Sequence, residues 1–475
     1  MRQWMVAAKK ADFYAIAEKF HVDPVVARII RNREVIGEKN IRIYLGGNLS
    51  DLSDPHQMKD MDRLVEILAQ KIRKQVHIRI IGDYDVDGVT SSHLFLTALR
   101  RVGAKVDVVI PHRIQDGYGL SLHLLQQAKE DGVDTILTCD NGIAAIDEIA
   151  WAKAQKMTVL VTDHHAVPFE EHEGRRTEKK SLADAVVNPH QQDCGYPYKE
   201  LCGAGVAWNV IRVLYENYDM DKREAEDLLD FVAMATVCDV MSLTGENRIL
   251  VKEGLKRIRH TKNIGLQALM QACNVQPENI SAYHFGYVLG PCVNATGRLD
   301  TARHALRLFE TGQETEAEEI ARDLVDLNQE RKELTLQGVE MAKKLCEEGG
   351  YENDPVLVLF LPDVHESIAG LIAGRIREMY NRPVFVLTRG EEGVKGSGRS
   401  TENYSMYENM CGCAELFTKF GGHPMAAGLS LPEENVEKFR RKINENCPLT
   451  VEEVCPDIHI CLLYTSPSPR DRSLS

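Results

Sequence analysis

The sequence contains no apolar run of the roughly 18 residues that a membrane-spanning helix needs. Its opening stretch, MRQWMVAAKKADF, does not have the makings of a secretory signal. Membrane and secretory placement are therefore not expected, and a cytoplasmic location is. No CxxC pair occurs: the twelve cysteines are scattered, and Cys411 and Cys413 form a lone C-x-C. That usage fits reduced thiols and excludes a disulfide frame or a zinc site. An excess of positive charge is also missing. With 57 basic against 71 acidic residues the net charge is −14, which argues against a nonspecific polyanion binder. A nucleic-acid enzyme stays open, because local patches dominate at close range. LKRIRHTK (255–262) and RIIRNRE (28–34) are such patches, although each reads first as a solvated helix face. What is present is the composition of a globular protein, 44% hydrophobic and 27% charged over 475 residues. That length suits roughly three domains of ~150 residues.

One stretch stands out. IRIIGDYDVDGVTSS (78–92) places Asp83, Asp85 and Asp87 at alternate positions and follows them with Gly88. Three like charges so close repel one another, and a hard divalent cation would relieve them. The first half matches an EF-hand loop, but its twelfth position is Leu94, which cannot give the bidentate contact. The preceding VHIRII is β-branched without a helical stripe, so it reads as a strand. A solvated acidic turn after a strand is the plain alternative.

The rest of the chain decides between these. After a helical N-terminal region (1–70), five strand-like runs follow: 76–85, 105–112, 135–142, 158–165 and 185–190, with starts 29, 30, 23 and 27 residues apart. Helix-like stretches such as TSSHLFLTALRRVG fill most gaps. This alternation predicts a parallel sheet with right-handed crossovers and helices on its faces. The runs end in acids and histidines: Asp83, Asp85 and Asp87 on the first, Asp140 on the third, and Asp163, His164 and His165 on the fourth. Ligands of open parallel sheets bind at the carboxyl ends of strands, so three strands bring these groups to one edge. Asp239, isolated in FVAMATVCDVMSL (231–243), needs a partner if buried; a metal would serve, and so would a helix cap or an arginine. Mostly carboxylate with one or two imidazoles suits Mn2+ or Mg2+. Five or six ligands exceed one mononuclear site and point to two ions, the arrangement that clamps an in-line phosphoryl displacement.

DYDVDG, CDNG, DHH and the Asp239 segment, in this order, resemble the motifs of the DHH phosphoesterases. Within that family LSDPHQMKDMDRLVE (52–66), LCGAGVAWNV (201–210), GPCVNATGRLD (290–300), GSGRS (396–400) and FGGHPMAAGL (420–429) resemble a bacterial branch of single-strand-specific DNA exonucleases. The resemblance covers about residues 45–455. It implies that Asp85, Asp87, Asp140, His164 and Asp239 bind two divalent ions, Mn2+ or Mg2+. His165 and Asp83 are the catalytic candidates beside them: the histidine faces the scissile phosphate, and the aspartate is a ligand or supports one. Arg298, Ser397, Arg399, Gly421, Gly422 and His423 are the implied substrate-binding residues. The implied products are 5′-mononucleotides released from the 5′ end in DNA repair and recombination, a polarity the residues alone do not fix. Single-stranded DNA is the implied partner, with a helicase or single-strand-binding protein as further candidates. One departure is visible: VHESIAG (364–370) stands where the family often has Trp-His-x-Gly-Val-Ile-Gly.

The expected architecture is α/β. A parallel-sheet DHH catalytic domain (71–245) is followed by a helical region and connecting helix (246–350) and by a smaller α/β DHH-associated domain (351–446). In the latter 355–362, 383–390 and 394–400 read as strands and 365–381 as a helix, and Gly396, Gly398, Gly421 and Gly422 permit close backbone approach. Residues 314–348, charged with apolar positions at helical spacing, read as one long helix. Two lobes so joined would leave a cleft that admits a single strand. Residues 447–461 resemble the opening of an OB-fold domain, and the Ser-, Pro- and Arg-rich 462–475 read as a non-native tail. Two rival functions stand beside the exonuclease: a DHH phosphodiesterase acting on short oligoribonucleotides or cyclic dinucleotides, and a non-catalytic single-strand-binding relative.

Overall fold

The computed structural model describes residues 11–113, 116–117, 119–172, 175–299, 301–390 and 393–454. They fall into two compact units, 11–328 and 329–454. The C-terminal tail and most of the expected OB-fold opening lie outside the described residues; of 447–461, the structure describes 447–454, ending in a short helix Val451–Val454.

The first unit opens with helices Phe13–Phe20 and Pro24–Asn32, each capped by an aspartate, Asp12 on the Ala15 N–H and Asp23 on the Val25 N–H. The helix Met61–Arg73 then leads into the sheet. Its strands are β1 (Ile78–Ile81), β2 (Val106–Val109), β3 (Thr135–Cys139), β4 (Thr158–Thr162) and, after a charged antiparallel hairpin of β5 (Phe169–His172) and β6 (Arg175–Glu178), β7 (Ala185–Val187). The order is β2-β1-β3-β4-β7, every pair parallel. The hairpin was not foreseen, because FEEH and RRTE hold one apolar residue between them and show no strand pattern.

Successive strand residues feed opposite faces. Ile80, Leu137 and Leu160 join the larger core with helices Val86–Arg101, Gly203–Asn217 and Leu229–Cys238. Ile81, Ile136, Val159 and Val161 pack on the other side against Leu125, Ala128, Ile149 and Ala152 of helices Leu122–Glu130 and Ile146–Ala154. Burial on both faces explains the near-continuous apolar strands. The register, Ile81 beside Thr138 and Cys139 beside Thr162, aligns the carboxyl ends of β1, β3 and β4 at one edge.

The helix Glu314–Glu348 spans the length read from sequence. In the second unit β8 (Leu357–Phe360), β9 (Val384–Gly390) and β10 (Gly393–Arg399) form where strands were expected, with helix Ala369–Tyr380 between the first two. FGGHPMAAGL is a hairpin, β11 (Lys419–His423) and β12 (Ala426–Leu431). The sheet order is β11-β12-β10-β9-β8, parallel only at β8–β9. Two of the glycines read for close approach do allow it. A Cβ on Gly396 would lie 2.4 Å from Leu387 Cδ2, and one on Gly398 2.4 Å from Met406 Sδ. Both make room for the unit's own core rather than for a ligand.

Candidate metal centre and phosphate-binding residues

Asp85 caps the helix Val86–Arg101, its Oδ1 accepting from the Gly88 N–H at 3.0 Å. The helix begins at Val86, and Gly88 lies in its first turn. It is glycine because a Cβ would lie 2.5 Å from the Asp83 N and O atoms, so only this residue lets the acidic loop fold back on the helix. Asp87 points inward and accepts from the Gly203 and Ala204 N–H groups at 2.6 and 2.8 Å, at the positive end of helix Gly203–Asn217. Asp140 follows β3 in the left-handed region, φ 61°. Gly203 packs so tightly on it that a Cβ there would lie 2.6 Å from the Asp140 Cβ.

β4 delivers the remaining groups. His164 Nε2 lies 3.1 Å from Asp140 Oδ1, 3.7 Å from Asp87 Oδ2 and 3.6 Å from Asp239 Oδ2. Asp239 ends helix Leu229–Cys238, and the next residue, Val240, is 88% exposed at φ 57°. A β-branched side chain in that region is a genuine outlier, and such strain gathers at functional sites. His165 Nδ1 is held 2.8 Å from Asp163 Oδ1. Asp163 is itself buried and accepts from the N–H groups of Ile143, His164 and His165.

Three groups form in which the donor atoms lie within 4.8 Å of one another: Asp83, Asp85 and Asp140; Asp87, His164 and Asp239; and Asp140, His164 and His165, which bridges the other two. The structure thus brings together seven of the eight residues read from the first, third and fourth strands and the Asp239 segment, with the eighth, Asp163, holding His165. The electrostatics show what is missing from a protein-only account. Burial and then the Asp85 charge push Asp83 well above the usual carboxylate range. Burial and then Asp87 raise Asp85, and burial followed by Asp87, Asp85 and Asp83 raises Asp140 strongly. Asp239 is pushed up to about 8 by burial and by Asp87 and Asp85. Both carboxyl oxygens of Asp83 and the Nε2 of His164 are buried with no hydrogen-bond partner among the described residues. Burial also lowers the His164 imidazole, leaving it neutral, the form that ligates a metal. Clustered acids and a neutral imidazole with an unsatisfied nitrogen fit a hard divalent cation, and the two mostly separate triads fit a pair.

Beside the acids lies a cavity of about 230 Å3 lined by Asp83, Tyr84, Asp85, Arg113, Asn294 and Arg298. Arg298 thus lies beside the acids of the centre. A Cβ on Gly297 would lie 2.5 Å from the Tyr84 carbonyl oxygen, and Asn294 Oδ1 accepts from the Val86 N–H at 3.2 Å, so GPCVNATGRLD is clamped to the acidic loop. Arg113 stacks over the Tyr84 ring, 4.9 Å from its centroid. Sequence reading missed Arg113, which no pattern marks in PHRIQDG, and missed the supporting part of Asp163, which stands in plain view before the two histidines.

The second unit holds the other candidates. Ser397 and Arg399 lie on the face of β10 opposite Gly396 and Gly398. They pack over Gly370, where a Cβ would lie 2.8 Å from Ser397 Oγ and 3.0 Å from Arg399 Nη2. Arg399 Nη1 donates to the Gly398 carbonyl at 2.7 Å. In register, Arg399 and His423 both pair with Ala426, and Ser397 and Gly421 both pair with Gly428. Arg399 and His423 thus share a face at one end of the sheet, two strand spacings or about 10 Å apart. His423 is exposed, and its Nδ1 accepts from the Met425 N–H at 3.2 Å. Gly421 opens to space, whereas Gly422, at φ 153°, is pinched against Ala426 and Ala427.

Family models agree with this picture. The DHH family, N-terminal domain, matches residues 77–236, and the DHHA1 domain matches 353–447. The class is thus a two-domain DHH protein. The single-stranded-DNA-specific exonuclease RecJ of Haemophilus influenzae is 36% identical over 440 residues, 89% of this chain and 74% of that protein. RecJ of Bacillus subtilis is 34% identical over 92% of this chain, which spans 54% of that relative's length. The crystal structure of Thermus thermophilus RecJ in complex with Mn2+ superposes with a TM-score of 0.78 at 28% identity, over 93% of this chain and 62% of that one. The chain belongs to the RecJ family.

Proposed function

We propose that the protein is a metal-dependent exonuclease that hydrolyses single-stranded DNA, with 71–245 as its catalytic domain and 351–446 as its substrate-binding domain. The observation that carries this reading is the convergence of Asp85, Asp87, Asp140, His164 and Asp239 at one sheet edge, with the acids raised by burial and then by mutual repulsion. The relatives' activity gives the substrate class.

These five residues would hold two divalent ions, Mn2+ or Mg2+, with Asp83 beside them. Such a pair would supply Lewis-acid activation of a water and charge stabilisation for a phosphoryl displacement. Asp87 is fixed by two backbone N–H groups, so its carboxylate is aimed before any ligand arrives. Burial opposes charge on His165, but the hydrogen bond and charge of Asp163, with help from Asp239 and Asp87, outweigh it and raise the imidazole to about 9. It is protonated at neutral pH. Its Nδ1 proton goes to Asp163, and its second nitrogen donates to a non-bridging phosphate oxygen, where charge develops. Arg298 and Arg113 line the adjoining cavity and position the phosphate. Ser397, Arg399 and His423 hold phosphates on the second sheet.

The test is hydrolysis of a 5′-labelled single strand with Mn2+, with Mg2+ and with chelator, against a blunt duplex and a length series down to dinucleotides. Metal-dependent cleavage of long single strands, with the duplex spared, is expected. Preference for dinucleotides would favour the small-substrate phosphodiesterase, and binding without cleavage the non-catalytic relative. Among the described residues no helix is long and apolar enough to cross a membrane. A cytoplasmic setting, with a helicase or single-strand-binding protein delivering the strand, suits this reading, and among the described residues no cysteine is in a disulfide.

A further inference from the structure

The helix that brings Arg298 to the acids, Gly290–Leu299, continues backwards through a π-helical turn, Phe285–Leu289, to Ala282–His284. Tyr283, Tyr287, Asn294 and Arg298 follow one another along this continuous helix, 4, 7 and 4 residues apart. Burial marks its accessible side. From 290 to 299 only Pro291, Asn294, Arg298 and Leu299 escape full burial. Its lower end, Asn294 and Arg298, lines the cavity shared with Asp83 and Asp85. At its upper end the rings of Tyr283 and Tyr287 stack on each other, centroids 5.1 Å apart and planes 23° apart. They are 62% and 72% exposed.

A single exposed aromatic needs no explanation, but an exposed stacked pair is an apolar surface kept in water. Its position is fixed by the metal-ligand helix. Cys238 Sγ donates to the Phe285 carbonyl at 3.3 Å, and a Cβ on Gly290 would lie 2.3 Å from Cys238 Sγ. The π turn that sets the tyrosines thus rests on the residue before Asp239. π-bulges of this kind recur at functional sites. Exposed Val240 follows directly on the other side of Asp239.

We propose that Tyr283 and Tyr287 form a stacking platform for the bases of a single strand whose phosphate sits at the acidic centre, with Asn294 and Arg298 tracking the strand between them. This deepens the nuclease reading and rests on it. Tyr287 to Arg298 spans eleven residues, about 16 Å, room for about three to five nucleotides at 3.4 Å or more each. Every base has a π face, so the platform favours single strands without reading sequence. A duplex, with its bases already stacked on each other, offers no such face.

The test compares kcat/KM on a normal oligodeoxynucleotide with that on one whose second to fifth residues from the cleaved end are abasic. The wild type should prefer the normal strand by roughly tenfold per stacked base. The Tyr283→Ala/Tyr287→Ala double variant should lose that preference, and Tyr283→Phe/Tyr287→Phe should keep it. A double-alanine variant that discriminates like the wild type overturns the proposal, as does a wild type that does not discriminate. So does a change confined to oligomeric state on sedimentation, which would make the pair a contact between copies. A wild type that cleaves no single strand in Mn2+ overturns the nuclease reading itself, a result distinct from all of these.

Discussion

The two sheets place polar chemistry by opposite means. At the carboxyl edge of the parallel sheet, charge is buried and crowded: Asp83, Asp87, Asp140, Asp163 and His164 are all nearly inaccessible. In the second unit the polar groups stand on one face of an antiparallel strand. Ser397 and Arg399 alternate with glycines that make room for the core, and His423 is exposed. Burial explains the difference. A buried carboxylate strongly disfavours its charged form unless something compensates, so the first site is poised for a cation and is rigid. A partly solvated arginine needs only a neighbour to hold its direction, and it can exchange water for phosphate.

Breaking the first site should have the largest effect. Asp87→Ala or Asp140→Ala should lower Mn2+-dependent hydrolysis by at least about 10³-fold, because each removes a donor at the centre, Asp140 one that two of the groups share. Melting in chelator should be unchanged or raised for Asp140→Ala, since a repelling group is gone, whereas Asp87→Ala also leaves the Gly203 and Ala204 N–H groups without their acceptor and should melt lower. Near-normal cleavage by either variant would undo the assignment. Gly203→Ala attacks the same centre through packing. Its Cβ would press on Asp140 at 2.6 Å, so we expect activity to fall and stability to drop by about 1–3 kcal/mol.

Asp163→Asn should cost about 10- to 100-fold in rate and reshape the pH profile. The His165 pKa is raised to about 9, so its protonated form prevails below that value and is lost above it. Without the Asp163 charge the loss should set in at lower pH, towards the ordinary imidazole value of about 6.5. An unchanged alkaline limb would show that His165 does not act as the cation. A subtler effect concerns protons. Asp239 is raised to about 8 in the metal-free protein, with Asp83 and Asp140 also raised. Mn2+ must displace those protons. Affinity should therefore rise with pH up to about 8, and proton release on binding should shrink above it. Calorimetry in buffers of different ionisation enthalpy reads this directly.

Much of the first site was legible because β-then-α spacing fixes where strands end, and strand ends fix which side chains meet. Asp239 was visible as an isolated acid in an apolar run, since burial of an acid demands a reason. What escaped was set by backbone geometry or by distance in the chain. Gly203 matters only because Asp140 packs on it from 63 residues away. Arg113 lies in a segment with no period to mark it. Gly396 and Gly398 read in sequence as places of close approach, and only the packing of Leu387 and Met406 against them shows that the unit's own core is what approaches. The β5–β6 hairpin is too charged to announce itself as strands.

The smallest expected effects lie at single phosphate contacts, and they sharpen the comparison best. Arg298→Ala and Arg399→Ala should each weaken single-strand binding and reduce the slope of log K against log salt by about 0.7, one contact's worth for a single strand. The two should then part company. Arg298 lines the cavity holding Asp83 and Asp85, so its loss should lower kcat as well as raise KM. Arg399 is oriented by its own sheet, through the Gly398 carbonyl and Ser397 hydroxyl, so its loss should act on KM alone. Gly370→Ala gives an independent check. Its Cβ would lie 2.8 Å from Ser397 Oγ and 3.0 Å from Arg399 Nη2, displacing both donors without removing charge. It should raise KM like Arg399→Ala while leaving most of the salt slope in place. If instead Gly370→Ala matches wild type, the direction in which Arg399 is held is not what binds the strand, and charge alone accounts for its effect.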